Sequence, residues 1–228
     1  MIFIEVSDND LMNHILIIFT LMAIVVLAVF LFRRFFSKDE RAQRELNKYL
    51  SQPLSSDEIG RFYERYIGHL YETEGYDVIY NGAINGYADL GRDLIVKCVD
   101  EVLIIQTKCW SKNKWIQEKH VFQLFGTMTH FTRTSEKNGR PTKAVFYTTA
   151  KYGDVARDAA KVLGVELRTE ELNRSYPMIK CSVSSSGDKL YYLPFDQGYD
   201  NIKIDLHRDE YFTKTVKEAV AKGFRRAA

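Results

Sequence analysis

The sequence predicts an α/β protein: one mixed sheet flanked by helices, preceded by a transmembrane helix and followed by a small α+β domain. Three features predict it. An uncharged apolar run occupies residues 11–32. Helical and strand patterns then alternate in the order α-β-β-β-α-β-α-β. A third, strand-rich segment begins near Tyr176. The implied division is 1–10 as an extracytoplasmic N-terminus, 11–32 as the membrane helix and 33–54 as a cytoplasmic linker. Residues 55–173 then form the main domain and 174–228 the accessory one.

The apolar run LMNHILIIFTLMAIVVLAVFLF carries no Asp, Glu, Lys or Arg over its 22 residues. A helix of that length spans about 30 Å, the thickness of a bilayer's hydrocarbon core. A secretory signal would begin with basic residues and end at a small-residue cleavage site. Here Glu5, Asp8 and Asp10 precede the run and no such site follows it. Arg33, Arg34, Lys38, Arg41 and Arg44 follow, so the positive-inside rule puts the N-terminus outside and the rest of the chain in the cytoplasm. Cys98, Cys109 and Cys181 lack zinc-site spacing and imply no disulfide framework, which suits a reducing compartment.

After the linker, Ser55 with Glu58 fits a capping box. Ile59, Phe62, Tyr63, Tyr66, Ile67 and Leu70 follow at helical spacing until Gly75. Residues 77–81 read as a strand and the glycine-rich stretch 82–91 as a loop. Residues 92–98 and 102–108 read as two strands of a hairpin turning at Asp100-Glu101. A helix over 116–131 follows, then a polar stretch over 132–142. A buried strand over 143–150, a short helix over 153–163 and a last strand over 165–168 complete the domain. Near the C-terminus, 179–183 and 189–193 read as strands and 213–221 as a short helix.

Asp93 opens one hairpin strand, and Gln106 and Lys108 share one face of the other because side chains alternate along a strand. Pairing of the strands would bring together an acid, an amide oxygen and an ammonium, with the Thr107 carbonyl beside them. Such oxygens suit Mg²⁺, and the set fits phosphodiester hydrolysis: a held cation, an activated water and a positive charge for the transition state. Taken one at a time, Asp93 also fits a turn former and Lys108 a solvated edge charge. Gln106 is harder to read that way, because it interrupts the apolar run VLIIQTK. Net charge is only +2, but residues 108–143 hold eight Lys or Arg against two acids. There Lys112 and Lys114 interleave with Trp110 and Trp115, a pattern suited to phosphates and bases, and equally to a solvated loop over core tryptophans.

Residues 58–172 resemble the Mrr-type branch of the PD-(D/E)XK nuclease superfamily. The resemblance lies in EIGRFYERYIGHLYETEGYDV, NGYADLGRDLIV, IIQTK, VFQLFG and VFYTTA. That branch carries Gln where most of the superfamily has Glu, as IIQTK does. The resemblance implies a restriction-endonuclease-like fold and a metal-dependent DNA endonuclease using Mg²⁺, or Mn²⁺ in its place. It implies Asp93 as principal metal ligand, with Gln106 and the Thr107 carbonyl completing the site, and Lys108 acting on the attacking water and the phosphate. Glu64 matches an acid at the metal's outer shell, although its helical context also fits a solvent-facing charge. Gln123 matches a glutamine bordering the site, and Asp89 a frequently acidic loop position. One departure is that Leu90 and Arg92 flank Gly91 where family members often carry a further glycine pair.

The expected partners are DNA, contacted by Lys112, Lys114, Trp115 and Gln123, and the membrane through one helix; the resemblance also admits a homodimer, although no interface is legible in the sequence. The expected role is restriction of foreign or modified DNA. Two other readings stand beside it: a non-catalytic DNA-binding or sensor module that keeps the fold, and a repair or junction nuclease. The C-terminal segment resembles the small sunset domain appended to bacterial nucleases. Tyr192 replaces its usual His and Thr213 its usual Cys, which removes a metal-binding role. Lys222, Arg225 and Arg226 remain as candidate substrate contacts, and the segment fits a simple folded appendage equally well.

Overall fold

A computed structural model of the chain describes residues 8–134 and 140–227. Residues 1–7 of the expected extracytoplasmic segment and 135–139 of the polar stretch lie outside the described residues. The chain divides into two compact units, Met1–Lys48 and Tyr49–Ala228.

Helix α1 (Asp8–Ser51) supplies the described residues of the first unit and ends three residues into the second; its 44 residues correspond to roughly 66 Å of helix. Every side chain from Met12 to Arg33 is exposed, so residues 12–32 of the apolar run bury nothing against the described residues. Among the described residues it is the one helix long and apolar enough to cross a membrane. The linker, whose polar residues 37–54 suggest only partial helix, continues it without a break as far as Ser51. Pairs one turn apart support this extension: Arg41 with Glu45 at 3.2 Å and Gln43 with Asn47 at 2.9 Å. Pro53 cannot continue a helix, and α1 ends two residues before it.

After the end of α1, the second unit continues with α2 (Ser56–Thr73). Its capping box is reciprocal: Glu58 N donates to Ser55 Oγ at 3.3 Å, and Ser55 N donates to the Glu58 carboxylate at 2.8 Å. Next come β1 (Asp77–Ile79), a short helix α3 (Asn81–Asn85), β2 (Leu94–Lys97) and β3 (Val102–Lys108). They are followed by β4 (Trp115–Ile116), α4 (Glu118–Thr134), β5 (Thr142–Thr148), β6 (Lys151–Tyr152), α5 (Asp154–Leu163) and β7 (Glu166–Thr169). The main sheet has the order β1-β2-β3-β5-β7. The β1-β2-β3 part is antiparallel, and β5 and β7 add in parallel through helical crossovers. This is the mixed sheet that the alternating pattern predicts.

Side-chain alternation along β3 divides the core. Leu103 and Ile105 pack with Tyr63, Ile67 and Val96 under α2, while Ile104 packs with Leu124, Phe146 and Ala156 under α4 and α5. Two local expectations change. The glycine-rich stretch is not irregular: Asn81 Nδ2 donates to the carbonyls of Arg92 at 2.7 Å and Asp89 at 3.2 Å, folding it into α3 and a 3₁₀ turn. Ile116 does not start the fourth helix. It is fully buried and pairs with Tyr152 in a small parallel β4–β6 bridge, so α4 starts at Glu118.

Residues beyond Tyr176 form β8 (Ile179–Val183), β9 (Lys189–Tyr192), β10 (Tyr211–Thr213), α6 (Val216–Ala221) and β11 (Arg225–Arg226), with sheet order β10-β8-β9-β11. The strands β10 and β11 are too short to show a sequence pattern. This sheet leans on α2. Tyr176 and Met178 belong to the α2 core, and Arg65 holds Asp200 with two hydrogen bonds of 2.8 and 2.7 Å. Lys180, 1% exposed, donates to Glu72 at 3.2 Å and to the Ile202 carbonyl at 2.7 Å. Lys222, Arg225 and Arg226 have partners inside this sheet: the Tyr211 ring at 3.9 Å, Asp188 at 3.1 Å and Asp196 at 2.7 Å.

One glycine shows how tightly α2 sits. A Cβ at Gly68 would lie 2.4 Å from a Tyr80 ring carbon. Gly68→Ala is therefore expected to destabilise the chain by about 1–3 kcal/mol, read as a lowered urea midpoint with unchanged slope.

Candidate active site

Strand β2 starts at Leu94, opposite Ile105, so the last three residues of β3 run past its end. The edge thus freed is the floor of an open cleft of about 1470 Å³ between α2 and α4. Asp93 sits at the step. Its backbone N–H donates to the Ile105 carbonyl at 2.9 Å, continuing the ladder by one bond. Its carboxylate turns toward Thr107, where Oδ2 accepts from the backbone N–H at 2.6 Å and from Oγ1 at 3.1 Å. Oδ1 has no hydrogen-bond partner among the described residues. In a strand the N–H and C=O of one residue point to the same side, so the Thr107 carbonyl also faces the edge that β2 leaves open.

Gln106 and Lys108 share the other face of β3, toward α4. Gln106 is 3% exposed, and its Oε1 is buried with no partner. A buried amide oxygen without a donor is costly unless a cation or donor reaches it. Lys108 lines the same cleft, with its Nζ 5.8 Å from the Trp110 ring centre. Glu64 comes from α2. A Cβ at Gly82 would lie 3.0 Å from Glu64 Oε2 and 3.4 Å from Asp93 Cα, so this glycine lets the two acids approach one another. Gln123 comes from α4. A Cβ at Gly91 would meet Gln123 Nε2 at 3.2 Å and Gln106 Nε2 at 3.3 Å. Gly91 also has φ +74, with its N–H held by the Asp89 carboxylate at 2.6 Å.

The electrostatics are those of acids short of positive charge. Burial pushes Glu64 up to about 8, helped by the charges of Asp93 and Asp89. Burial also pushes Asp93 up to about 6, against the lowering effect of the Thr107 hydrogen bonds. Among the described residues no group of three or more His, Cys, Asp or Glu converges. The donor set is instead one or two carboxylates, an orphan amide oxygen and a backbone carbonyl. Hard oxygens of this kind fit a divalent cation that keeps part of its water shell.

The cleft gathers Glu64, Asp93, Gln106, Thr107, Lys108, Lys114 and Gln123. It does not gather Lys112, whose Nζ pairs with Glu171 at 2.7 Å, or Trp115, which lies on β4 under Lys151. Trp110 lines the cleft instead, with Lys114 Nζ 5.4 Å from its ring centre. Leu90, the departure beside Gly91, lines it too, and so do Arg61, Phe122 and Gly126, which the sequence does not single out. Gly126 was in reach, since a glycine inside an apolar helical pattern is a signal in itself.

The sheet order and this cleft define a restriction-endonuclease-like nuclease domain. Residues 57–172 match the Mrr catalytic-domain family, described as restriction endonuclease, and the chain belongs to that family. It is a family of nucleases acting on DNA, and its members generally use divalent metals. Similar solved structures include the protein of unknown function AF1548, at 18% identity and TM-score 0.34, over 51% of this chain and 59% of that one. Another is the MspJI restriction endonuclease in complex with a 27-mer oligonucleotide, at 14% identity and TM-score 0.32, over 58% of this chain and 29% of that one. The chain thus spans less than two thirds of either. No curated protein matches it.

Proposed function

We propose that the chain is a membrane-anchored, Mg²⁺-dependent DNA endonuclease serving restriction of foreign or modified DNA. The observation that carries the reading is the orphan Gln106 Oε1, buried at the strand end that also presents Asp93, Thr107 and Lys108. Asp93, Gln106 and the Thr107 carbonyl would hold the ion. When bound, such a cation polarises a phosphoryl oxygen and lowers the pKa of its water. Thr107 fixes the Asp93 carboxylate through two donors, so the ligand is oriented before substrate arrives. Lys108 offers an ammonium to the charge that develops on the phosphate. Glu64 approaches Asp93 across Gly82 and, with its carboxyl pushed up to about 8 by burial, would ionise more readily beside a positive charge. Hydrolysis joins the water oxygen to phosphorus and breaks one P–O bond, and the leaving oxygen takes a proton.

The basic flank after residue 32 favours the catalytic unit in the cytoplasm, with α1 as its anchor. Protease added to right-side-out vesicles would then spare residues 49–228, and their loss would refute this topology.

The full chain in detergent, incubated with supercoiled plasmid and Mg²⁺, is expected to nick or linearise it, and a chelator to stop it. Glu64→Gln is expected to slow cutting by roughly 10–100-fold, the usual effect of removing a group that supports a metal ligand. Lys108→Met keeps the stem and loses the charge; cutting at the wild-type rate would contradict its role. Binding without cutting, insensitive to Mg²⁺, would make the chain a DNA-binding module.

A further inference from the structure

A position that breaks the local preference of the fold, with no gain inside the chain, marks a residue chosen by something else. The cleft has three. Gly60 lies within α2 and Gly126 within α4, on opposite walls. A glycine inside a helix is disfavoured relative to alanine, because it loses more backbone freedom on folding. Other glycines of this region have reasons: Gly68 meets Tyr80, Gly82 meets Glu64 and Asp93, and Gly91 has a positive φ. Gly60 and Gly126 have none of these. A Cβ at either would meet nothing within 4 Å, and neither has a positive φ.

Leu90 is the converse case. Its φ of +58 belongs to the region that favours glycine, and a side chain there is strained. Burial does not compensate, because Leu90 is 51% exposed. The Thr127 hydroxyl, next to Gly126, donates to its carbonyl at 2.7 Å and holds it at the cleft mouth. Phe122, one helical turn before Gly126, is 53% exposed on the same wall. Arg61, Lys108 and Lys114 line the same cleft and supply positive charge. Its floor carries the buried, unpartnered Gln106 oxygen, an independent sign that a ligand belongs there.

We infer that Gly60 and Gly126 are the points where the sugar–phosphate backbone of duplex DNA presses against the backbones of α2 and α4, and that Leu90 is an apolar contact wedged against a base step. The inference rests on the nuclease reading above. Without a Cβ, a helix can be approached by another backbone. An exposed leucine on strained backbone can press against stacked bases, as apolar wedges do in proteins that kink DNA.

The test compares the full chain in detergent with Gly60→Ala, Gly126→Ala and Leu90→Gly. Melting temperature and affinity for a fluorescein-labelled duplex are measured in EDTA, so that nothing is cut. The alanine variants are expected to melt about 2–4 °C higher, and Leu90→Gly at the wild-type temperature or above. Each variant is expected to bind the duplex roughly tenfold more weakly, a loss equivalent to about 1.4 kcal/mol. Higher melting with unchanged affinity would overturn the inference, and so would lower melting, which would show that the fold selects these residues. Wild-type protein that cuts plasmid while all three variants bind normally sinks this inference alone. Wild-type protein that neither binds nor cuts sinks the nuclease reading with it.

Discussion

Asp93→Asn is expected to reduce plasmid cleavage by at least about 10³-fold while raising the melting temperature of the metal-free protein. The two effects have one origin. Asparagine keeps an oxygen to accept from the Thr107 N–H and Oγ1, so the loop stays pinned. What goes is a negative charge that the fold alone leaves short of compensation. Asp93 holds its proton up to about pH 6 in place of the ordinary 3.8, and Glu64 up to about 8 in place of 4.5. Between each pair of values the folded chain binds more protons than the unfolded chain. Metal-free stability therefore falls as pH rises through those windows. A cation held by the proposed ligands would reverse this by favouring the ionised acids. Added Mg²⁺ should accordingly stabilise the wild type more at pH 8 than at pH 5, and stabilise Asp93→Asn little at either. Equal shifts in a thermal melt at both pH values would contradict this.

Lys180→Met is expected to destabilise the chain by about 3–5 kcal/mol, the usual cost of breaking a buried ion pair by removing one partner. Lys180 and Glu72 are 1% and 3% exposed. Burial pulls the ammonium down and pushes the carboxyl up, and each partner opposes the shift in the other. The Tyr80 hydroxyl donates to the second Glu72 oxygen at 2.7 Å, and three aromatic rings surround the Lys180 ammonium. Loss of the lysine leaves Glu72 charged without its counter-ion. A chain of this size should then melt roughly 10 °C lower. Adding Glu72→Gln removes the stranded charge and keeps an acceptor for Tyr80, so the double variant should recover much of the loss. A single variant within about 0.5 kcal/mol of wild type would show that the pair does not hold the C-terminal sheet to α2.

The elements read well from sequence wherever periodicity was long. The 3.6-residue pattern after Ser55 gave α2, and the run VLIIQTK gave β3 residue for residue. Helix α4 was displaced by two residues, because Ile116 suits an apolar helix face as well as a strand and only its pairing with Tyr152 decides. Alternation and hairpin pairing place Asp93, Gln106 and Lys108 at one strand end, and the resemblance to Mrr-type nucleases is what picks them out as a site. The Lys112 ion pair was not legible, because its partner Glu171 lies 59 positions along the chain. Neither was the dependence of the C-terminal sheet on α2. Nothing near Lys180 in sequence announces that it is buried against Glu72, since the two meet only when β8 docks. The strain at Leu90 is likewise a property of φ, set by the Asn81 and Asp89 hydrogen bonds around it.

The convergence of Asp93, Gln106 and Thr107 on one cation is tested most directly by anomalous diffraction from crystals of the full chain soaked in Mn²⁺. A single strong peak should touch the Asp93 carboxylate, the side-chain oxygen of Gln106 and the main-chain oxygen of Thr107, and should vanish in Asp93→Asn. A peak elsewhere, or none in a protein that still cuts DNA, would contradict the account.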